Sequence, residues 1–440
     1  MSEDGNDSAS RVGSPGIRAV GLAVLGYIAA CGAFGLAHER TPFTVRKPYG
    51  LPMTAPRVAG VGLTPFGEHS ERTGRDMFAE AGLAAVDDAG VAPADVEALY
   101  YGNFMGELAE HQGHQAPLMA EAVGLDVPAT RFEAACASSG AAVREAVRAL
   151  RSGEADVVLV GGAERMTNIG TAAATDALSI AADDLYEIRA GMTFPGAYAL
   201  MARAYFREYG GSREDLAHVA VKNHEHALSN EHAQLRTEIS VADALEAPTV
   251  ADPLGLYDAC PITDGASAAV LVSADCAERE GLDAPVAVMG TGQGGDRLAL
   301  HDREHLARTP AAADAAEEAY ADAGRGPEGI DVAEVHDCFT IAEVLALESL
   351  GFYEPGGAIT AAREGETHVT GDLPVNLSGG LKAKGHPVGA TGVAQVISLA
   401  KVLAGETSWV DEVGDAAVGV AHNAGGTVAS ATVHVLEAVE

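Results

Sequence analysis

Lysine is almost missing from this chain. Of 440 residues only five are lysine (Lys47, Lys222, Lys382, Lys384 and Lys401), and all basic side chains together number 28 against 63 acidic ones. The formal net charge of −35 and pI of about 4.6 argue against nucleic-acid binding, because phosphate recognition needs a basic surface. Aromatic residues are also few, at 5% with one Trp, yet a hydrophobic share of 48% excludes a disordered acidic tail. An acid surplus with so little lysine fits a protein kept soluble in concentrated salt, where screening weakens self-repulsion. The plainer alternative is an ordinary acidic cytosolic protein. Cysteine is sparse: Cys31, Cys136, Cys260, Cys276 and Cys338 are odd in number and none sits in a C-x-x-C. Neither a disulfide framework nor a zinc knuckle is indicated, and a reducing cytoplasm fits. A Gly-rich phosphate loop of the G-x-x-x-x-G-K-[ST] kind is lacking too.

One long uncharged run exists, residues 19–37, and its four glycines leave it weakly apolar. Residues 1–52 around it hold four acids and five bases, a balance of +1, so the rest of the chain carries about −36. This leader reads in three ways: a membrane anchor or signal, a disordered cytosolic segment, or a misplaced gene start with Met53 as the true initiator. The strand pattern that opens directly after Met53 favours the last.

From Met53 onward, short apolar runs alternate with Ala-rich amphipathic stretches, the signature of an α/β fold with buried sheets. Strands are expected over 58–63, 98–103, 155–160, 266–272, 286–290, 331–335, 375–377, 416–420 and 427–435. Helices are expected over 74–89, 138–152, 310–323, 341–350 and 389–403. Two segments repeat one order: small residues, a helix, a Gly-Glu turn, a strand ending at small residues, then a last apolar strand. The first starts at Cys136-Ala-Ser-Ser-Gly140, the second at Gly385-His-Pro-Val-Gly-Ala-Thr-Gly392. Such repetition implies an internal duplication, with one half over 53–276 and the other over 284–440. Residues from about 166 to 263 have no counterpart in the second half; they are polar and irregular, and read as a loop inserted over the site.

Three constellations could carry chemistry. Cys136 stands where a helix begins, and the positive end of a helix favours thiolate; the alternative is an inert buried cysteine. His386 lies on a loop with glycines on both sides, which lets backbone approach a ligand. His336-Asp337-Cys338-Phe339 follows a strand directly, where sites of α/β folds gather. Metal binding is the rival reading for that triplet, although three ligands in consecutive residues give poor tetrahedral geometry. His224 and His226 are a second weak metal candidate.

Taken together these motifs resemble the thiolase superfamily over nearly all of Met53–Glu440. The branch most alike holds sterol-carrier-protein-type thiolases and archaeal acetyl-CoA acetyltransferases. Its marks are Cys136-Ala-Ser-Ser-Gly140, Gly162-Ala-Glu-Arg-Met166, Lys222-Asn-His224, Asp264-Gly-Ala-Ser-Ala-Ala269, His336-Asp-Cys-Phe339 and the Gly385–Gly392 loop. The resemblance implies a five-layered αβαβα fold of two pseudo-symmetric halves with an inserted loop region, assembled as a homodimer or homotetramer. It departs from better-known thiolases in one place: their C-terminal Cys-x-Gly turn reads His422-Asn-Ala-Gly-Gly426 here, so Cys338 inherits the role of second cysteine.

The activity so implied is that of an acetyl-CoA C-acetyltransferase, a Claisen condensation or its reversal by thiolysis. Cys136 would carry the acetyl group, His386 would accept its proton, and Cys338 would move the α-proton. His336 would donate to the enolate oxygen, and backbone N–H groups at Cys136, Ala424 and Gly425 would hold the oxyanion. Ser378 and Gly380 are expected along the pantetheine, with no metal and no redox cofactor. Partners implied are hydroxymethylglutaryl-CoA synthase and a small zinc-ribbon/OB-fold protein, feeding mevalonate and isoprenoid synthesis. The rivals are a longer-chain 3-ketoacyl-CoA thiolase and a non-catalytic lipid-binding or scaffold relative. A β-ketoacyl synthase is disfavoured, because its second His loop reads Lys-x-x-x-Gly-His-Thr rather than Gly-His-Pro.

Overall fold

The computed structural model describes residues 55–439; the leader and Met53 lie outside them. The first half contributes β1 (Arg57–Leu63), α1 (Gly74–Asp88), β2 (Ala98–Gly102), β3 (Ala129–Phe132), α2 (Ser138–Ser152) and β4 (Val157–Glu164). A segment with α3 (Phe194–Tyr209), α4 (Arg213–Ala227) and the short pair β5 (Thr249–Ala251) and β6 (Leu254–Gly255) follows, before β7 (Gly265–Val272). The second half contains β8 (Val286–Gly295), α5 (Pro310–Ala323), β9 (Val332–Glu334), α6 (Thr340–Ser349), α7 (Thr391–Leu403), β10 (Val418–Gly425) and β11 (Ser430–Ala438).

Strand order makes the duplication explicit. In the first half β1 is antiparallel to β7, β7 antiparallel to β4, and β4, β2 and β3 run parallel. In the second, β8 is antiparallel to β11, β11 antiparallel to β10, and β10 and β9 run parallel. The fifth place, opposite β3, is filled by a single parallel bridge between Ala333 and Val375. The strand expected over 375–377 is therefore cut to one residue, because Asn376 adopts φ +58° and cannot continue an extended chain. The two sheets join edge to edge where Arg57 and Val58 of β1 meet Ala287 and Val286 of β8.

Side-chain alternation then sorts the layers. In β4, Val157 and Leu159 pack outward with Met77 and Phe78 of α1, while Val158 and Val160 pack inward. There they meet Val143 and Val147 of α2, Val393 and Ile397 of α7, and Val286, Val332 and Leu436 of the other sheet. A third core lies outside the second sheet, where Ala311, Ala315 and Ala319 of α5 and Val344 and Leu347 of α6 cover Val420, Val433 and Val435. Outer helix, sheet, central helix pair, sheet and outer helices make five layers. All eight residues of β7 are buried, which is why it reads as an unbroken apolar run. Each such Val or Leu stabilises the fold by about 1.5–3 kcal/mol.

The edge strands carry a further mark of repetition. Gly290, Gly292 and Gly294 of β8 lie against Ala319, Ala315 and Ala311 of α5, so closely that an added Cβ would stand 2.0–2.2 Å from their carbonyl oxygens. Gly60 and Gly62 of β1 meet Ala85 and Ala81 of α1 in the same way.

The segment expected to be an irregular loop is mostly helical. Tyr198, Met201, Ala202 and Tyr205 of α3 and Leu216 and Val219 of α4 fall at helical spacing and enter the second half's outer core. Interspersed Arg, Glu, His and Asn conceal that stripe in the sequence. No helix among the described residues is long and apolar enough to cross a membrane.

Candidate active site

Between β3 and α2 the chain turns sharply. Ala135 sits at φ +50°, a left-handed conformation costly for any residue with a Cβ. Ser138 holds it there: its hydroxyl donates to the Ala135 carbonyl at 2.5 Å and accepts the Ala134 N–H at 3.0 Å. Cys136 follows and packs against a buried apolar cluster of Phe104, Met105, Met166 and Val388. The residue is only partly exposed, and burial pushes its thiol up to about 12, against the pull of the Gly426 N–H. This corrects the expectation of a resting thiolate: loss of water outweighs the helix end, and the sulfur rests protonated.

Two imidazoles face that sulfur. The reactive atoms of Cys136, His336 and His386 all lie within 4.8 Å of one another, and the two rings meet edge to face with centroids 5.0 Å apart. Their hydrogen bonds set opposite tautomers. Thr391 spends its hydroxyl proton on the Pro387 carbonyl (3.0 Å), so at 2.7 Å it must accept Nδ1–H from His386. Nε2 of His386 is thereby left with a lone pair. His336 instead receives the Asn423 amide on Nδ1 at 3.1 Å, which places its proton on Nε2. Both Nε2 atoms are buried and lack a protein partner among the described residues. Burial pushes His386 down to about 3, and His336 falls well below its ordinary value as His386 and His422 add to desolvation. A thiol, a proton acceptor and a proton donor thus converge. The same three atoms form a group of metal-ligand spacing, but one nitrogen presents a proton instead of a lone pair.

Cys338 starts from the end of β9 and is not in that group. Burial raises its thiol well above the usual range, with Cys260 and Cys136 adding. It is backed by Tyr198 of α3, whose hydroxyl donates to the Gly426 carbonyl at 2.9 Å and also lies against the Cys338 sulfur. The inserted segment therefore reaches the site, through a residue that sequence reasoning passed over. Beside the antiparallel bridge of Ala259 and Phe339, the Cys260 N–H donates to the Cys338 carbonyl at 3.0 Å.

Other expected residues go elsewhere. Ser378 donates to Glu334 at 2.7 Å and accepts from Lys384 at 2.8 Å, and it lines a separate cavity of about 270 Å³ with Trp409 and Lys401. Gly380, at φ +58°, abuts the Asp337 carboxylate. Ser378 thus belongs to a buried ionic group with Glu334 and Lys384, and Gly380 packs on a second such group around Asp337. Ala424 and Gly425 are strand residues of β10; the N–H aimed at the sulfur is that of Gly426, one residue further along the turn.

The group around Asp337 also absorbs the rival metal candidates. Asp337 accepts from the Leu381 amide (2.6 Å), the Lys382 amide (3.2 Å) and Asn223 (2.8 Å). Asn223 and Asn376 bridge on to Glu343, which pairs with Lys222 at 2.5 Å. His224 bonds the Thr237 carbonyl and Lys382, while His226 bonds Asn376 and Val369. His422 accepts the backbone N–H of His336 on Nδ1 at 3.4 Å. Thr391, Asn423 and Gly426 all sit inside motifs visible in the sequence, but their tasks depend on pairings across the two halves.

Comparison with known proteins matches both halves of the chain. Residues 57–275 match the profile "Thiolase, N-terminal domain" and residues 292–438 match "Thiolase C-terminal domain-like". An acetyl-CoA acetyltransferase of Methanothermobacter thermautotrophicus is 46% identical over 379 residues, covering 86% of this chain and 98% of that protein. Human sterol carrier protein 2 is 30% identical, covering 84% of this chain and 69% of its own length. Among solved structures, an Ltp2–ChsH2(DUF35) aldolase superposes with TM-score 0.75 at 26% identity, over 87% of this chain and 98% of that one. With both halves matched and near-full-length relatives at this identity, the chain belongs to the thiolase family.

Proposed function

We propose that this protein is an acetyl-CoA C-acetyltransferase working through an acetyl-Cys136 thioester. The observation that carries the reading is the convergence of Cys136, His386 and His336 within 4.8 Å, with one imidazole set to accept a proton and the other to give one. The Cys136 thiol attacks the acetyl-CoA carbonyl as its proton passes to His386 Nε2, CoA leaves as thiol, and the acetyl group stays on sulfur. The departing CoA sulfur takes the proton of Cys338, which as thiolate then removes the α-proton of a second acetyl-CoA, and the Cys136 sulfur regains its own proton from His386 when it is released. His336 Nε2–H holds the enolate oxygen, and the enolate carbon attacks the acetyl-thioester to release acetoacetyl-CoA. Thiolysis runs the same steps backward. Each well-placed oxyanion donor lowers such a barrier by about 3 kcal/mol.

The identity to an archaeal acetyl-CoA acetyltransferase supports the short acyl chain over a degradative long-chain thiolase. Intact Cys136, His336 and His386 speak against a scaffold. The coenzyme A thioester is substrate, and the reaction as written calls for no metal or redox cofactor. A cytoplasmic homo-oligomer feeding mevalonate synthesis fits this chemistry. So do partnership with hydroxymethylglutaryl-CoA synthase and a zinc-ribbon/OB-fold protein, and life in high salt. The DUF35 partner in the name of the structural relative supports the second partner.

Incubation with acetyl-CoA in multimolar KCl, followed by intact-mass analysis, is expected to add about 42 Da to wild type and nothing to Cys136→Ala. Cys338→Ala is expected to load acetyl yet fail to condense. Acetylation surviving in Cys136→Ala refutes the reading. Preference for longer 3-ketoacyl-CoAs in thiolysis replaces it with the degradative one.

A further inference from the structure

Glu164 ends β4 with its carboxylate 1% exposed and no basic side chain at ion-pair distance among the described residues. It is surrounded by donors. One oxygen accepts Asn103 Nδ2 at 2.9 Å and the Met105 N–H at 2.8 Å; the other accepts the Phe104 N–H at 3.0 Å and the Gly389 N–H at 2.8 Å. Three of these partners belong to the first half. The fourth, Gly389, lies three residues after His386, in the turn that leads into α7. That turn rests flush on β4: a Cβ on Gly162 would stand 2.0 Å from the Gly389 carbonyl oxygen. The Gly389 amide is one of the N–H groups that a helix start leaves without a partner, and a carboxylate is the group best suited to it.

We propose that Glu164 is a positioning residue for acyl transfer: as a carboxylate it draws the His386 turn of the second half onto the end of β4 in the first, setting Nε2 opposite the Cys136 sulfur. The proposal rests on the acetyl-transfer reading. All four close contacts are donors, so a protonated Glu164 has nowhere to aim its own proton and must give up at least one of them. The charged and titratable groups that face it are Arg131 of β3, itself paired with Glu107, Tyr101 of β2, and the Cys136 thiol. Burial pushes the Glu164 carboxyl up to about 7, although the Met105, Phe104 and Gly389 amides and Arg131 oppose it. Protonation on falling pH therefore releases the His386 turn close to neutrality, and the acetylation rate should climb as pH rises through about 7.

The test is single-turnover acetylation of Cys136 by acetyl-CoA, followed by mass from about pH 5.5 to 8.5, for wild type, Glu164→Gln and Glu164→Asp, alongside KM and thermal melting. Wild type is expected to show an acid limb centred near 7. Glu164→Gln, whose amide meets donors with a donor, is expected to react about 100-fold more slowly, with KM little changed and the limb gone. Glu164→Asp, which keeps the charge but not the reach, should retain the limb at a reduced rate. An unchanged rate in Glu164→Gln overturns the proposal; so does the same limb persisting in that variant. Should Glu164→Gln fail to fold, wild type decides alone, since a rate flat between pH 6 and 8 overturns it. A wild type that takes no acetyl group at all defeats the functional reading itself, and this proposal with it.

Discussion

Cys136 and His386 are both uncharged at neutral pH, one pushed up to about 12 and the other down to about 3. Burial favours thiol and neutral imidazole over an ion pair, so the proton moves as the sulfur–carbon bond forms. What prepares the pair is orientation. Thr391 holds the tautomer of His386 through one hydrogen bond of 2.7 Å. Thr391→Val keeps the shape and removes the acceptor, freeing the ring to put its proton on Nε2. The acetylation rate is expected to fall by about 10- to 100-fold with little change in melting temperature. Nitrogen NMR of the imidazole is expected to report the exchange of tautomers; an unaltered rate would show that the threonine is incidental. His386 stays neutral well below neutrality, so the acid limb of activity belongs to Glu164 and not to the base.

Elements were legible where one local rule decided them. The start and end of α2 and α5 follow directly from small-residue starts, Ala-rich stretches and a terminal Gly. β3 was not, because four residues on a sheet edge carry no usable period. α3 and α4 were hidden by polar residues on their outer faces, although Tyr198 and Tyr205 already mark the buried stripe. The cysteine and both histidines were visible as motifs. Glu164 and Gly426 also sit in visible motifs and Tyr198 does not, but the tasks of all three were hidden, since nothing near them in sequence shows that Glu164 meets Gly389 or that Tyr198 meets Gly426, more than two hundred positions away. At this scale the glycine face of β8 is the clearest mechanical feature. Gly292→Ala would place a methyl 2.0 Å from the Ala315 carbonyl and is expected to destabilise by about 2–3 kcal/mol in denaturant unfolding. Gly295→Ala, on the same strand but 3.9 Å from its nearest neighbour, should change stability by less than about 0.5 kcal/mol. Equal losses at both positions would show that close helix approach is not the cause.

The whole molecule gathers buried imidazoles. His224, His226, His336, His386, His422 and His434 are all pushed below their ordinary value, chiefly by burial. The unfolded chain takes up protons on them near 6.5 while the folded one refuses, so their contribution to stability is complete above that value and shrinks as pH falls. Glu110, Glu164, Asp258, Asp337 and Glu348 are raised by burial and act in the opposite sense, but with His232, also lowered, these five carboxyls face seven imidazoles. In molar salt, where the net charge of −35 is screened, the melting temperature is expected to drop steadily between about pH 6.5 and 4.5. A flat or rising profile there would contradict the burial of these rings.

The seam between the halves has a consequence for synthesis. β1 is the first strand of the fold to leave the ribosome, yet its neighbours are β7 and β8, which come from the far end of the first half and the start of the second. Until those arrive, a glycine-rich apolar ribbon waits with both edges open. The nascent chain must therefore hold its earliest strand open until the first half is almost fully synthesised, and the start of the second half is then stitched onto that same strand before its own sheet exists.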